Sequence, residues 1–387
     1  MEKPAIRSEA RLSFWEATSI IIGHGVGSGI LSIPYLASRN SLLSLFCILA
    51  GVYCINLLLH FMIAELSLNN GGAQFIKCFE HELFTGRARK ALTWAAFALL
   101  GFSVIINVSG FITGAGAVLI AWFGLPRAAA QLLFYAAAAA VVFAGMKLVG
   151  LCEKLAVFSM GIVIAILVAA TAHAGAQPLQ AAFVAPSNVL ALFSMVSFAL
   201  SAVMSVPQVV KGLDGDVRRI RASIAAGTGI NLLLVLVITL TTLFGVGGAI
   251  SENGALVDLS ARLGGWVGIV GYIFSLLALV TSFWANTLNL RDVIDEQTHW
   301  GTHRSWALAT VPSLCIALLG VTSFVGFTRL AGVVQVLTGL GVILAYHHSR
   351  RAAGQSPLCG RLGTLPFQIL VILSSLAATV GSLLPIR

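Results

Sequence analysis

The 387-residue chain is 58% hydrophobic and only 10% charged, and its mean hydropathy is +0.96. That composition excludes a soluble globular protein, which needs far more polar surface, and describes a polytopic membrane protein. The net charge of +9, from 23 Lys and Arg against 14 Asp and Glu, fits a basic excess in cytoplasmic loops better than a nucleic-acid surface.

Residues 1–12 form a polar amino-terminal segment with Lys3, Arg7 and Arg11. No small-residue cleavage site follows a short apolar stretch, so the first run reads as a retained span and not a signal peptide. Eleven runs long enough or nearly so for a span of about 20 residues lie near 13–37, 42–67, 91–122, 127–146, 151–172, 188–212, 222–247, 265–290, 305–321, 325–346 and 365–384. With the amino terminus inside, 18 of the 23 basic residues fall on the inner side and 5 outside. This predicts a cytoplasmic amino terminus and an external carboxyl terminus in a plasma membrane, a bacterial inner membrane. The six cysteines are scattered without ligand spacing and read as small hydrophobes.

Within the first run, Gly23 to Tyr35 reads G-H-G-V-G-S-G-I-L-S-I-P-Y. Glycines at 23, 25, 27 and 29 with Pro34 behind them disfavour an uninterrupted helix, and unwound backbone in a membrane must face a cavity or a solute. Residues 23–29 are therefore the first candidate site, with close helix packing through small residues as the alternative. Between runs, Ala73–Phe84 has the pattern of a short amphipathic helix on the inner surface. The segment 248–263, with Glu252, Asn253, Asp258 and Arg262, is either a cap on an external vestibule or an ordinary loop.

The sixth run carries Ser205-Val206-Pro207, echoing Ser32-Ile33-Pro34 at an offset of 173 residues. Five spans separate the two starts, so a second five-span unit enters from the opposite side, an inverted repeat with two interrupted helices near the midplane. The predicted organisation is a first repeat over 13–172, an inverted second over 188–346, and a peripheral eleventh helix over 365–384. The sixth-run break is expected at Phe198–Ala202. Backbone amides of the half helix opening near Gly29 suit a carboxylate, and carbonyls freed at the two breaks suit an ammonium group. Ser28, Ser32, Ser201 and Ser205 add hydroxyls, each equally able to bond its own helix. Asn107, Ser109 and Thr113 of the third run are expected to line the opposite wall of the cavity, with a bond from Asn107 to another helix as the alternative.

Thr281 and Ser282, adjacent in the eighth run, suit a hard cation together with carbonyls of the first break. Glu16 and Glu65, near the inner ends of the first two runs, are read as gating residues, and His24 as a substrate or ion group. Lys154, at the start of the fifth run, is a further candidate proton group.

The G-V-G-S-G-I-L-S-I-P-Y block, with the broken sixth run and the hydroxyl pair of the eighth, resembles the amino acid/auxin permease family within the amino acid–polyamine–organocation superfamily. The resemblance implies the fold of the bacterial leucine transporter: an all-α membrane protein of about eleven helices. It implies that Gly25, Gly27 and Gly29 expose backbone to the amino acid carboxylate and that the break around Phe198 to Ser201 contacts its amino group and side chain. Ser28, Ser32 and Asn107, read from the residues themselves, complete the expected substrate set. Ala278-Leu279-Val280-Thr281-Ser282 matches the A-x-x-T-S of sodium-coupled relatives, which implies a cation role for Ala278, Thr281 and Ser282. Gly23, His24 and Val26 of the first break join them in the expected cation-binding or coupling set, with His24 a departure from the small residue or threonine usual there. The function expected is secondary active uptake of a neutral or hydrophobic amino acid, coupled to sodium or protons. A non-transporting amino acid sensor and a sodium-independent exchanger are the alternatives. Expected partners are the amino acid, the coupling ion and membrane lipid, with no nucleic acid; a bound sodium is the one candidate ion and no other cofactor is implied. The sequence holds no metal-spaced cluster, catalytic serine motif or phosphate loop that would indicate an enzyme.

Overall fold

The computed structural model describes residues 11–26, 29–179, 185–248, 250–251, 255–322, 324–354 and 356–384. Among them every regular element is helical. Helix α1 (Phe14–Gly25) starts with a capping box: the Ser13 hydroxyl accepts from the Glu16 amide at 3.3 Å, and Glu16 Oε2 accepts from the Ser13 amide at 2.7 Å. The first run resumes as α2 (Gly29–Ser38). Then come α3 (Leu42–Asn69), α4 (Phe75–Glu82), α5 (Arg89–Phe123), α6 (Arg127–Ala144) and α7 (Met146–Ala174). The sixth run is also split, into α8 (Pro186–Ala199) and α9 (Val206–Gly212), with a single tight turn over Val203–Ser205 between them. The chain continues with α10 (Val217–Val246), α11 (Ala255–Leu263), α12 (Gly265–Thr298), α13 (Thr302–Leu319), α14 (Phe324–Ala353) and α15 (Leu365–Leu383).

Several helices overrun the apolar runs on the basic face, α12 to Thr298 and α14 to Ala353. Hydropathy marks only the stretch in hydrocarbon, and a helix continues into water without breaking its own hydrogen bonds. Eight helical stretches, the broken α8–α9 counted as one, are long and apolar enough to cross a membrane among the described residues. Phe102, Leu133, Phe158, Leu319 and Leu373 point outward from five helices, all more than half exposed. An apolar belt of this kind suits lipid and not water.

The two broken helices sit together and run in opposite directions. Helix α1 packs against α9, and α2 against α8; α7, α10 and α12 surround α1. Helix α5 fills the other side of the bundle against α12, α13 and α14. Helix α4 buries Phe75, Ile76, Cys78 and Phe79 and leaves Lys77 and Glu80 half-exposed. The Lys77 ammonium, hydrogen-bonded at 3.0 Å, holds the Glu80 carboxyl below its usual range despite the opposing effect of partial burial. On the opposite face, α11 packs on α2, α7, α10 and α12. Its Arg262 donates to the carbonyls of Ala174, Gly175 and Gly245, joining α11 to the ends of α7 and α10. Glu252 and Asn253 lie outside the described residues.

Glu65 is fully buried near the end of α3. It accepts from Tyr346 Oη (3.1 Å), Ser356 Oγ (2.9 Å) and the amides of Leu358 and Cys359 (3.1 Å each). The carboxylate therefore anchors the 356–359 loop to the bundle. Replacing it with alanine strands those donors and is expected to cost about 3 kcal/mol. Thermal unfolding of purified Glu65→Ala in detergent should show a clear drop in the apparent midpoint; an unchanged midpoint would contradict the anchoring role.

Candidate functional site

The first break is narrower than the glycine pattern predicts. Gly23, His24 and Gly25 complete α1, and the Val26 amide still donates to the Ile22 carbonyl at 2.8 Å. These glycines serve close approach. A Cβ on Gly25 would collide with Asn231 Nδ2 and sit 2.9 Å from the Ala199 carbonyl oxygen, and one on Gly23 would strike the Glu153 carboxylate. The packing reading of the small residues thus holds for Gly23 and Gly25. Gly27 and Ser28 lie outside the described residues, and Gly29 opens α2.

The second break begins at Leu200, not at Phe198. Phe198 is in the last turn of α8, and its carbonyl is taken by the Ser201 amide at 3.1 Å. The groups the break does release are met by side chains from neighbouring helices. On α3, Asn56 Nδ2 donates to the Ser197 carbonyl at 3.1 Å; on α10, Asn231 Nδ2 donates to the Ala199 carbonyl at 2.8 Å. On α12, Asn289 Nδ2 donates to the Met204 carbonyl at 2.7 Å and to Gln74 Oε1 at 3.0 Å.

His60 takes the remaining amide: Ala202 N–H donates to its Nε2 at 2.9 Å. An accepting Nε2 carries no proton, so Nδ1 holds it and donates to Thr228 Oγ1 at 3.3 Å; that hydroxyl passes its own hydrogen to the Ile224 carbonyl at 2.9 Å. His24 joins the two breaks directly, its Nδ1 hydrogen-bonded to Ser205 Oγ at 3.0 Å.

The other sequence-derived candidates occupy mixed positions. Ser32, Phe198 and Ser201 are half-buried around the breaks, and Val26 is buried. Ser109 and Thr113 spend their hydroxyls on carbonyls of α5 itself, at 2.8 and 2.9 Å, whereas Asn107 keeps a buried Oδ1 with no partner among the described residues. On α12, Ala278, Thr281 and Ser282 are buried. Thr281 donates to the Ala278 carbonyl at 3.1 Å, and Ser282 Oγ has no hydrogen-bond partner among the described residues. With α12 packed on α1, this donor set fits a small hard cation.

At the basic face, Glu16 pairs with Lys147 of α7 at 2.6 Å. Beside it the Leu12 amide donates to the Gly212 carbonyl at 2.8 Å, and Arg11 pairs with Asp214 at 2.6 Å. These contacts hold α1 to α7 and α9. Lys154 is exposed, while its neighbour Glu153 is fully buried against Gly23. Asn56, His60, Asn231 and Glu153 are not among the sequence-derived candidates, and Asn289 stands out in the sequence only as a polar residue of the eighth run with no role attached. Glu153 carried a usable signal, since it falls on the buried α7 stripe with Met146, Val149, Gly150, Ala156 and Met160.

Over residues 10–375 the chain matches the tryptophan/tyrosine permease family. It belongs to that family. It is 26% identical, over 98% of its length and 97% of the relative's, to a tryptophan-specific transport protein of Pseudomonas aeruginosa (strain UCBPP-PA14). In fold it is similar to MhsT in complex with L-phenylalanine, with a TM-score of 0.73 at 14% identity over 97% of this chain and 100% of that one. It is also similar to Mhp1, a nucleobase-cation-symport-1 family transporter, at a TM-score of 0.63 and 13% identity over 98% and 93% of the two chains. A manganese transporter of Eremococcus coleocola gives 0.64 at 14% identity, over 97% and 89%.

The likeness to amino acid/auxin permeases is thereby corrected to the tryptophan/tyrosine permeases. A glycine-rich broken helix followed by proline is what any exposed-backbone site of this fold requires, so it does not separate one family from the next. The wider expectation stands: the permease is a multi-pass secondary transporter with the leucine transporter fold.

The close approach at Gly25 makes a sharp prediction. Gly25→Ala forces Asn231 off the Ala199 carbonyl and should cut uptake below about a tenth of wild type. Gly161→Ala on α7, where an added Cβ meets nothing within 4 Å, should leave uptake near wild type. Equal effects in a proteoliposome assay would refute the packing account.

Proposed function

We propose that the permease carries an aromatic amino acid, tryptophan or tyrosine, together with a monovalent cation, by alternating access about the two helix breaks. The observation that carries this reading is the pair of antiparallel broken helices, the second of which is held apart from ordinary helix geometry by Asn56, His60, Asn231 and Asn289. Such a framework leaves backbone at the membrane centre for a solute to use. The tryptophan-specific relative and the L-phenylalanine bound to MhsT support the aromatic class.

In this reading the substrate carboxylate meets the amino terminus of α2 at Gly29, and Ser32 and Ser201 border the zwitterion. The α-ammonium lies by the carbonyl end of α1. Phe198 packs on the ring, and Asn107 Oδ1, buried and unpartnered, accepts from an indole N–H or a phenol O–H. Thr281 and Ser282 serve a coupling sodium if sodium is the cation. The basic face is cytoplasmic in a bacterial inner membrane, so opening inward requires release of Glu16 from Lys147 and of Leu12 from Gly212.

Reconstituted protein should take up labelled tryptophan or tyrosine, with unlabelled aromatic amino acids competing far better than alanine or leucine. Competition by aliphatic residues alone would overturn the substrate class. Asn107→Leu should lower tryptophan and tyrosine uptake more than phenylalanine uptake, by about tenfold or more, because a site built to hydrogen-bond the ring loses that bond only for substrates that make it.

A further inference from the structure

Glu153 lies about two turns into α7 from Lys147, within an apolar stretch long enough to cross a membrane, and neither the sodium motif nor the gating pair uses it. Its side chain is wholly buried, both carboxylate oxygens lack a protein hydrogen-bond partner, and it forms no ion pair among the described residues. It faces Gly23, one residue before His24 and three before the first break, and the missing Cβ is what gives the carboxylate its room.

Charged groups on the helices packed against α7 are occupied elsewhere or lie at the faces. On α1, Glu16 holds Lys147, and His24 is bonded to Ser205. On α12, Arg291 pairs with Asp292, Asp295 accepts from the Gly301 amide, and Glu296 accepts from the Gln74 amide. Arg127 of α6 donates to the Ala317 carbonyl, and Arg262 of α11 to carbonyls of α7 and α10. On α11 as well, Asp258 accepts from Ser251. Arg218, Arg219 and Arg221 are on the exposed first turns of α10, and Lys154 and His173 of α7 are exposed.

A bare carboxylate in hydrocarbon is untenable, so a single positive charge must accompany it. We propose that Glu153 is the charged group of the coupling-cation site, its charge neutralised by one monovalent cation bound at the α7–α1 contact beside the break. The cation is either a proton on the carboxylate or a sodium ion coordinated by it with Ser282 Oγ, the unpartnered hydroxyl on α12, which packs on both α1 and α7. Because Gly23 closes directly onto this group, loading the cation lets α1 and α7 stay packed without a buried net charge. This deepens the transport reading and rests on it.

The test uses full-length protein in proteoliposomes with labelled tryptophan and a membrane potential of about 100 mV, inside negative, at which one coupled charge is worth roughly fiftyfold in accumulation. Wild-type protein should concentrate tryptophan when protons or sodium are supplied, and the cation required identifies the source. Glu153→Gln should lose that roughly fiftyfold accumulation while keeping a larger share of its tryptophan exchange than of its accumulation, with Glu153→Asp partly restoring the accumulation. Glu153→Gln accumulating as wild type, or losing exchange and accumulation in equal proportion, would overturn the proposal. Wild-type protein inert toward every aromatic amino acid would strike the transport reading instead. Independently of transport, dicyclohexylcarbodiimide should label Glu153 in the wild-type protein, read by mass spectrometry, with labelling suppressed by raised pH or by sodium. Labelling absent, or insensitive to both, also overturns the site.

Discussion

An interrupted helix inside a membrane leaves backbone amides and carbonyls that water cannot reach, and the rest of this structure depends on where they find partners. Each unsatisfied group would cost several kcal/mol in hydrocarbon, on the order of a whole protein's stability for a handful of them. Here the α8–α9 break is supplied from three other helices: α3 gives Asn56 and His60, α10 gives Asn231, and α12 gives Asn289. Those helices are therefore not generic walls. Their register against the break is set by hydrogen bonds of defined direction, and His60 is held in one neutral tautomer by an acceptor role on one nitrogen and a donor role on the other.

The same constraint explains the small residues. Gly23 and Gly25 stay helical but bring the α1 backbone against Glu153, Asn231 and the Ala199 carbonyl. Gly227 on α10 does likewise for Ile21 and the Thr18 carbonyl, and Gly212 for Leu12. Close backbone approach along α1 lets short polar side chains reach across to a neighbouring break, and it couples any movement of α1 to α7, α9 and α10. At the basic face the Glu16–Lys147 pair, with Lys147 half-exposed, is screened by water. It suits a contact that must open and reform during a cycle, unlike the four-donor cage around Glu65.

Much of this was legible in the sequence. Apolar length placed the spans, and the Ser-x-Pro echo between residues 32–34 and 205–207 exposed two broken helices. The width of the breaks was not, because glycine's permissiveness and its use for close packing look alike without the facing residues. The polar residues that hold the second break were equally hidden. Asn56 and Ser197 are 141 residues apart, and His60 and Ala202 are 142 apart, so only tertiary contact reveals them. Glu153 and Lys154 are adjacent, and periodicity alone separates the buried carboxylate from the exposed ammonium. The family assignment erred in its finer branch for a related reason: the broken-helix signature reports a physical requirement common to the fold.

The central claim is that the two breaks together form the place where an aromatic amino acid is held. An experimental structure of the protein saturated with L-tryptophan tests it most directly. The account predicts the amino acid with its carboxylate at the amino terminus of α2, next to the Leu200–Ser205 turn and with its ring against Phe198. Tryptophan bound elsewhere, with residues 23–29 and 200–205 free of contact, would contradict it.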